Sequence, residues 1–336
     1  MNAPQHGGPD ALGVPPHDFS TNANACGPCP AALVALAQAD RSRYPDPAYT
    51  ALTEALAAFH DVDAPRIVLA ASASEFIHRI SALAARSGLR RAVLPQHGYG
   101  DYARAATAWG LACQTGQHAG KDEALHWACE PASPLGGVDA QLPGWAARPG
   151  DWQVLDRAYA PLMLESQGTA APPPAHAWQL WSPNKALGLT GVRAAYAIAP
   201  PAAVQGGMAQ RLRDLAPSWP VGADGVALLG EWVGSEAQHW LAQTLPTLRQ
   251  WKAEQLQLCA RMGWQVLPGS LANFFTARLA AGEGAPLLAA LRARGVKLRD
   301  CASFGLPGHV RLGVLPPASQ QALQRAWRGY HLAHDC

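Results

Sequence analysis

The sequence predicts an α/β protein, with a large domain around a mainly parallel central sheet and a smaller α+β domain. Three observations predict it. Short apolar runs alternate with helical patterns through the middle of the chain, and near Pro200 the pattern changes to longer helices and separate strands. At 336 residues the chain exceeds one small domain, and its 49% hydrophobic residues supply a sizeable core.

Ile67–Ala70 reads as a buried strand, with Phe76, Ile77, Ile80 and Leu83 recurring behind it at helical spacing. Ser72 followed by Glu75 is a capping box, which starts that helix. Residues 92–94 give a second strand and 101–109 a second helix. Leu125–Cys129, residues 153–155, Trp178–Trp181 and residues 194–198 are the next strands. Strands separated by helices point to a parallel sheet, whose ligands collect at the carboxyl ends of the strands. Beyond Pro200, helices are expected over 202–215 and 241–261, the second starting or kinking at Pro246. Within it Leu245, Leu248, Leu256 and Cys259 share a face. Residues 265–267, 274–276 and 310–312 read as strands of the smaller domain. The expected division is an arm with part of the small domain in 1–40, the large domain in 41–205, and remaining helices plus the small domain in 206–336.

Several function classes are excluded. A formal net charge of +2, with no Lys/Arg run, gives no footprint for nucleic acid or a membrane surface. Residues 1–18 are rich in Pro, Gly and His and lack the apolar stretch of a signal peptide or transmembrane span. Seven scattered cysteines suit reduced thiols in the cytoplasm better than a disulfide framework. Cys26-Gly27-Pro28-Cys29 has thioredoxin-type spacing, but no apolar strand precedes it to present the pair. A Gly/Pro turn is the expected reading, and no second Cys/His pair follows to complete a metal site.

Chemistry concentrates just after the strands. One strand ends in Asp156, with Tyr159 three residues on; another runs into Ser182 and Lys185, then Gly188, Gly191 and Arg193. The first delivers the capped helix start at Ser72, Ala73 and Ser74, and the second is followed by Tyr99 with Tyr102 behind it. These pieces meet the needs of pyridoxal 5'-phosphate (PLP). A lysine amine, Lys185, holds the aldehyde. The helix start, Ser182 and Arg193 supply amides, a hydroxyl and a cation for the phosphate. A buried carboxylate, Asp156, keeps the ring nitrogen protonated, and Tyr99 offers a face to stack on. Any one of these residues alone would be an ordinary surface lysine or turn aspartate; the set carries the inference. Ser-x-x-Lys also opens the site of penicillin-binding enzymes, but their Ser-Asp-Asn and Lys-Thr-Gly elements are missing.

The segment Ser182-Pro183-Asn184-Lys185-Ala186-Leu187-Gly188-Leu189-Thr190-Gly191-Val192-Arg193 resembles the lysine signature of class I/II, fold-type I PLP aminotransferases. Asp156-Arg157-Ala158-Tyr159 resembles that family's Asp-Glu-Ala-Tyr element. Within the family, the histidinol-phosphate aminotransferase branch and its threonine-phosphate decarboxylases are most similar. His6-Gly7-Gly8, Asp18-Phe19-Ser20-Thr21-Asn22-Ala23-Asn24, Tyr44-Pro45-Asp46-Pro47, Val296-Lys297-Leu298-Arg299 and His309-Val310-Arg311-Leu312-Gly313 carry that similarity, which spans nearly the whole chain.

The resemblance implies that Arg311 clamps the substrate carboxylate, while Arg299 and His6 meet the substrate's phosphate and Asn22 lies near the substrate. It implies that Tyr44 reaches the cofactor phosphate of a neighbouring subunit, in a homodimer with shared sites. Ser133 stands where the family has an Asn bonded to the cofactor's 3'-oxygen, Ser72-Ala73-Ser74 replaces a Gly-led turn, and Pro9 replaces an Asn. The implied activity is decarboxylation of a phosphorylated amino acid, L-threonine O-3-phosphate, as in cobalamin synthesis. Aminotransfer of the histidinol-phosphate type and PLP binding without turnover are the alternatives.

Overall fold

The apolar runs of the middle segment pair side by side in the computed structural model, which describes residues 7–116, 123–165 and 172–333. The N-terminal part supplies β1 (His17–Asp18), α1 (Pro30–Gln38) and α2 (Thr50–Phe59). The sheet-forming part then runs β2 (Ile67–Ala70), α3 (Ala73–Arg86), β3 (Arg91–Leu94), α4 (Gly100–Ala108), β4 (Ala112–Thr115), β5 (Leu125–Cys129), β6 (Trp152–Asp156), β7 (Trp178–Trp181) and β8 (Ala195–Ile198). Among the described residues these strands form a seven-stranded sheet in the order β2-β8-β7-β6-β5-β3-β4. Only β8 pairs antiparallel to its neighbours, so the other strands point their carboxyl ends to one edge.

Every residue of β2, β5, β6 and β8 is buried, as strands covered on both faces require. One face packs Phe76, Ile80, Trp127 and Trp178; the other packs Leu56, Tyr196, Leu229 and Trp232. Each such large side chain contributes roughly 2–3 kcal/mol on burial. β4 was not expected from the sequence. It is a largely exposed edge strand of Ala, Cys, Gln and Thr, so it carries no apolar run to announce it.

The remaining elements are α5 (Pro201–Gln205), α6 (Met208–Asp214), α7 (Ala223–Trp232), α8 (Ser235–Arg261), β9 (Gln265–Val266), β10 (Phe274–Arg278), α9 (Ala285–Ala293), β11 (Val296–Lys297), β12 (Arg299–Asp300), β13 (His309–Gly313) and α10 (Pro317–Leu332). The helix expected over 202–215 is instead two, broken at Gly206-Gly207, where Gly207 takes φ 72°. The helix expected from 241 starts at Ser235 and runs through Pro246, because the buried stripe already includes Ala237 and Leu241. Strands β12-β13-β10-β9 form a separate antiparallel sheet. Its core of Phe275, Leu312 and Leu323 includes Phe19 from the N-terminal part, and β1 pairs with β11. The arm is thereby fixed to the C-terminal unit beside the carboxyl edge of the large sheet. Among the described residues no helix is long and apolar enough to cross a membrane.

Candidate active site

The carboxyl ends of the parallel strands open into a cavity of about 1700 Å³, roofed by the small sheet and the N-terminal arm. All the residues given a cofactor, catalytic or substrate role from the sequence line it, apart from His6 and Tyr44. His6 lies outside the described residues. Tyr44 is 76% exposed and stacks on Trp219, centroids 4.2 Å apart, away from the cavity.

At the end of β2, Ser72 caps α3, its Oγ accepting from the Glu75 amide at 3.1 Å. The Glu75 carboxylate reaches back to the Ala71 amide (3.2 Å) and pairs with Arg79 (2.9 Å), so the capping box closes one residue earlier than the standard form. The first turn of α3, with Ala73 and Ser74, faces the cavity with the positive end of a 14-residue helix. Ser74 Oγ lies 3.1 Å from the Tyr99 hydroxyl, which joins the end of β2 to the start of α4. Arg193 is exposed at the cavity rim.

Asp156 closes β6 and is only 4% exposed. Its Oδ2 accepts from the Tyr102 hydroxyl at 2.7 Å and its Oδ1 from the Ala158 amide at 2.9 Å. Burial raises its pKa, and both hydrogen bonds and the Lys185 charge oppose that rise. Lys185 Nζ donates to Ser182 Oγ at 3.2 Å and lies 5.6 Å from the centroid of the Tyr159 ring. Burial lowers its pKa, which favours the nucleophilic amine.

The lysine loop is braced by the segment that carries the Cys-Gly-Pro-Cys motif. The Asn24 amide donates to the Lys185 carbonyl and the Cys29 amide to the Leu187 carbonyl, each at 2.9 Å. Asn24 Nδ2 reaches the Ala186 carbonyl at 3.2 Å. Cys29 is fully buried, both thiols are free, and burial pushes the Cys26 thiol up, opposite to a redox-active cysteine. The turn is structural, as its sequence context suggested.

Arg299 and Arg311 face each other as register partners on β12 and β13. Arg311 donates to Ser133 Oγ (2.9 Å) and to the Ser20 carbonyl (2.8 Å), while its buried Nε has no hydrogen-bond partner among the described residues. Arg299 donates to the Asp300 carbonyl and to Ser303 Oγ, each at 2.8 Å. The Phe304 ring lies 4.8 Å from the Arg299 guanidinium and 5.8 Å from that of Arg311. Burial and the facing Arg311 charge lower the Arg299 pKa. Asn22 is buried in the cavity wall beside the Tyr159 hydroxyl. Ser133, expected to face the cofactor's 3'-oxygen, accepts from Arg311, and its hydroxyl proton remains for a second partner. Sequence reasoning placed Ser20 and Asn24 in a family-like segment without giving them a role, and it missed Phe304. The first two act through backbone or long-range contacts without a spacing signal, and Phe304 is an aromatic in a loop.

A mainly parallel sheet with a half-buried lysine, a buried aspartate and a helix start along its carboxyl edge defines the fold-type I class of PLP enzymes. Residues 146–328 match the family described as aminotransferase class I and II, and the chain belongs to that family. It is 31% identical over 318 residues to histidinol-phosphate aminotransferase 1 of Bradyrhizobium diazoefficiens, covering 88% of this chain and 87% of that protein. The fold is similar to that of L-threonine-O-3-phosphate decarboxylase from Porphyromonas gingivalis, with a TM-score of 0.77 at 21% identity over 94% of this chain and 99% of that one. It is also similar to histidinol-phosphate aminotransferase from Sinorhizobium meliloti in complex with PLP, with a TM-score of 0.75 at 21% identity over 94% and 90% of the two chains. PLP is the cofactor of this chain. The residues present fit it: Asp156 points a twice-bonded carboxylate and Lys185 a desolvated amine into one cavity.

Proposed function

We propose that the chain decarboxylates L-threonine O-3-phosphate to (R)-1-amino-2-propanol O-phosphate, a step of cobalamin biosynthesis. The observation that carries this reading is the facing pair Arg299 and Arg311, which line the same cavity as Lys185. The substrate bears a carboxylate and a phosphate on adjacent carbons, so two neighbouring guanidiniums match two neighbouring anions. Histidinol phosphate has a phosphate but no carboxylate.

In this reading Lys185 binds PLP covalently, and the α3 start, Ser182 and Arg193 hold its phosphate. Tyr99 stacks on the ring, and Ser133 and Tyr159 bond its 3'-oxygen. When bound, the cofactor supplies a sink for the electron pair left at Cα as CO2 departs. Asp156 holds the proton at the ring nitrogen. Arg311, with Asn22 in the same cavity wall, would grip the carboxylate and fix its orientation for loss as CO2. Arg299, with His6 of the arm, takes the phosphate. Lys185 Nζ would hold the proton that replaces the carboxylate at Cα. Tyr44 serves the cofactor phosphate of a second copy, which makes the working unit a homodimer.

The relatives named histidinol-phosphate aminotransferase favour a second reading, aminotransfer of the histidinol-phosphate type on the same residues. The PLP-loaded protein is given L-threonine O-3-phosphate, and separately histidinol phosphate with 2-oxoglutarate. CO2 release in the first supports decarboxylation. Glutamate from the second without CO2 from the first replaces it with aminotransfer.

A further inference from the structure

Tyr102 lies one turn beyond Tyr99 on α4, 1% exposed and flat against Trp127, with centroids 4.5 Å apart and planes 13° apart. That stack, with the perpendicular ring of Tyr99 on its other flank, leaves the phenol one position. Its hydroxyl sits 2.7 Å from Asp156 Oδ2. The groups facing this contact are the Cys129 thiol on β5, Asp139 beyond it and Lys185 across the cavity. Burial pushes the phenol well above its usual range, and the Asp156 and Cys129 charges add to it, so Tyr102 stays protonated and donates. Among the groups that lower the Asp156 pKa against its burial, this hydrogen bond is the largest.

We propose that Tyr102 is the positioning residue for Asp156, fixing one carboxylate oxygen so that the group is held where it meets the ring nitrogen of PLP. The choice of a phenol has a physical reason. A cationic donor would neutralise the carboxylate and compete with the protonated ring nitrogen, whereas a neutral donor restrains one oxygen and leaves the full charge in place. The Ala158 amide, also neutral, does the same at Oδ1.

Tyr102→Phe keeps the stack on Trp127 and removes only the hydroxyl. The apoprotein is titrated with PLP and with the carbocyclic analogue in which carbon replaces the ring nitrogen. The ratio of the two affinities is the readout, with calorimetry of the apoprotein confirming the fold. Loss of a hydrogen bond to a buried carboxylate should cut that ratio roughly 10-fold, because only PLP offers Asp156 a nitrogen. A ratio unchanged from wild type overturns the proposal, whether both affinities hold or both fall together. If Tyr102→Phe does not fold, Tyr102→Gln carries the same comparison. Its neutral amide donor keeps the ratio within about 2-fold of wild type, and a ratio lost despite it overturns the assignment.

Discussion

The backbone of Gly27 abuts Gly188 so closely that a Cβ on Gly188 would come within 2.5 Å of the Gly27 carbonyl oxygen. Gly188 also takes φ 69°, where L side chains are strained. The lysine loop and the N-terminal segment therefore meet main chain to main chain, with the Asn24 and Cys29 amides holding either side. Gly188→Ala should cost about 1–3 kcal/mol and lower the Tm. Because Lys185 moves with its loop, affinity for PLP should fall as well. Calorimetry of the apoprotein and a PLP titration check both, and a variant matching wild type would mean the contact is slack.

Lys185→Ala should abolish the visible absorption band of the covalently held cofactor while leaving PLP able to bind non-covalently. Activity should fall by roughly 10³-fold or more, since both the anchoring amine and the proton donor are lost. Borohydride treatment followed by mass spectrometry reads the linkage directly: wild type gains the cofactor's mass on the peptide containing Lys185, and the variant gains none.

What the sequence disclosed and what it hid follow from the range of the interactions. The start of α3 was legible because Ser72 and Glu75 act on amides within four residues. The strands β2, β5 and β7 were legible to the residue because burial demands apolar runs. β4 lies at an exposed edge and needs none. Lys185, Asp156 and Arg193 were found because each follows a strand. The setting of Arg311 was not, since its partners Ser133 and Ser20 lie 178 and 291 residues away. Tyr44 faces solvent, so the role proposed for it requires a second copy of the chain.

Arg311→Lys keeps the charge but loses the planar fork that spans Ser133, the Ser20 carbonyl and the open Nε. With the proposed role in carboxylate binding, the KM for the amino acid should rise roughly 10- to 100-fold, the worth of a charge-assisted pair. Affinity for PLP should change little. Steady-state kinetics beside a PLP titration separate the two, and an equal loss in both would move Arg311 from substrate to cofactor binding.

His60 provides a test of stability against pH. Its Nε2 lies 2.7 Å from the Tyr196 hydroxyl, and its ring packs against Phe59 and Trp181. Burial, and then the Arg157 charge, lower its pKa from 6.5 to about 4. The folded protein therefore holds a neutral imidazole where the unfolded chain takes up a proton. Stability from this group is fully present above pH 6.5 and is lost as the pH falls from there toward 4. The loss should reach about 2–3 kcal/mol at most. His60→Gln can keep a bond to Tyr196 without titrating, so its Tm should gain on wild type step by step as the pH falls from 7 to 4.5. Parallel Tm curves for the two proteins across that interval would mean that His60 does not resist protonation in the fold.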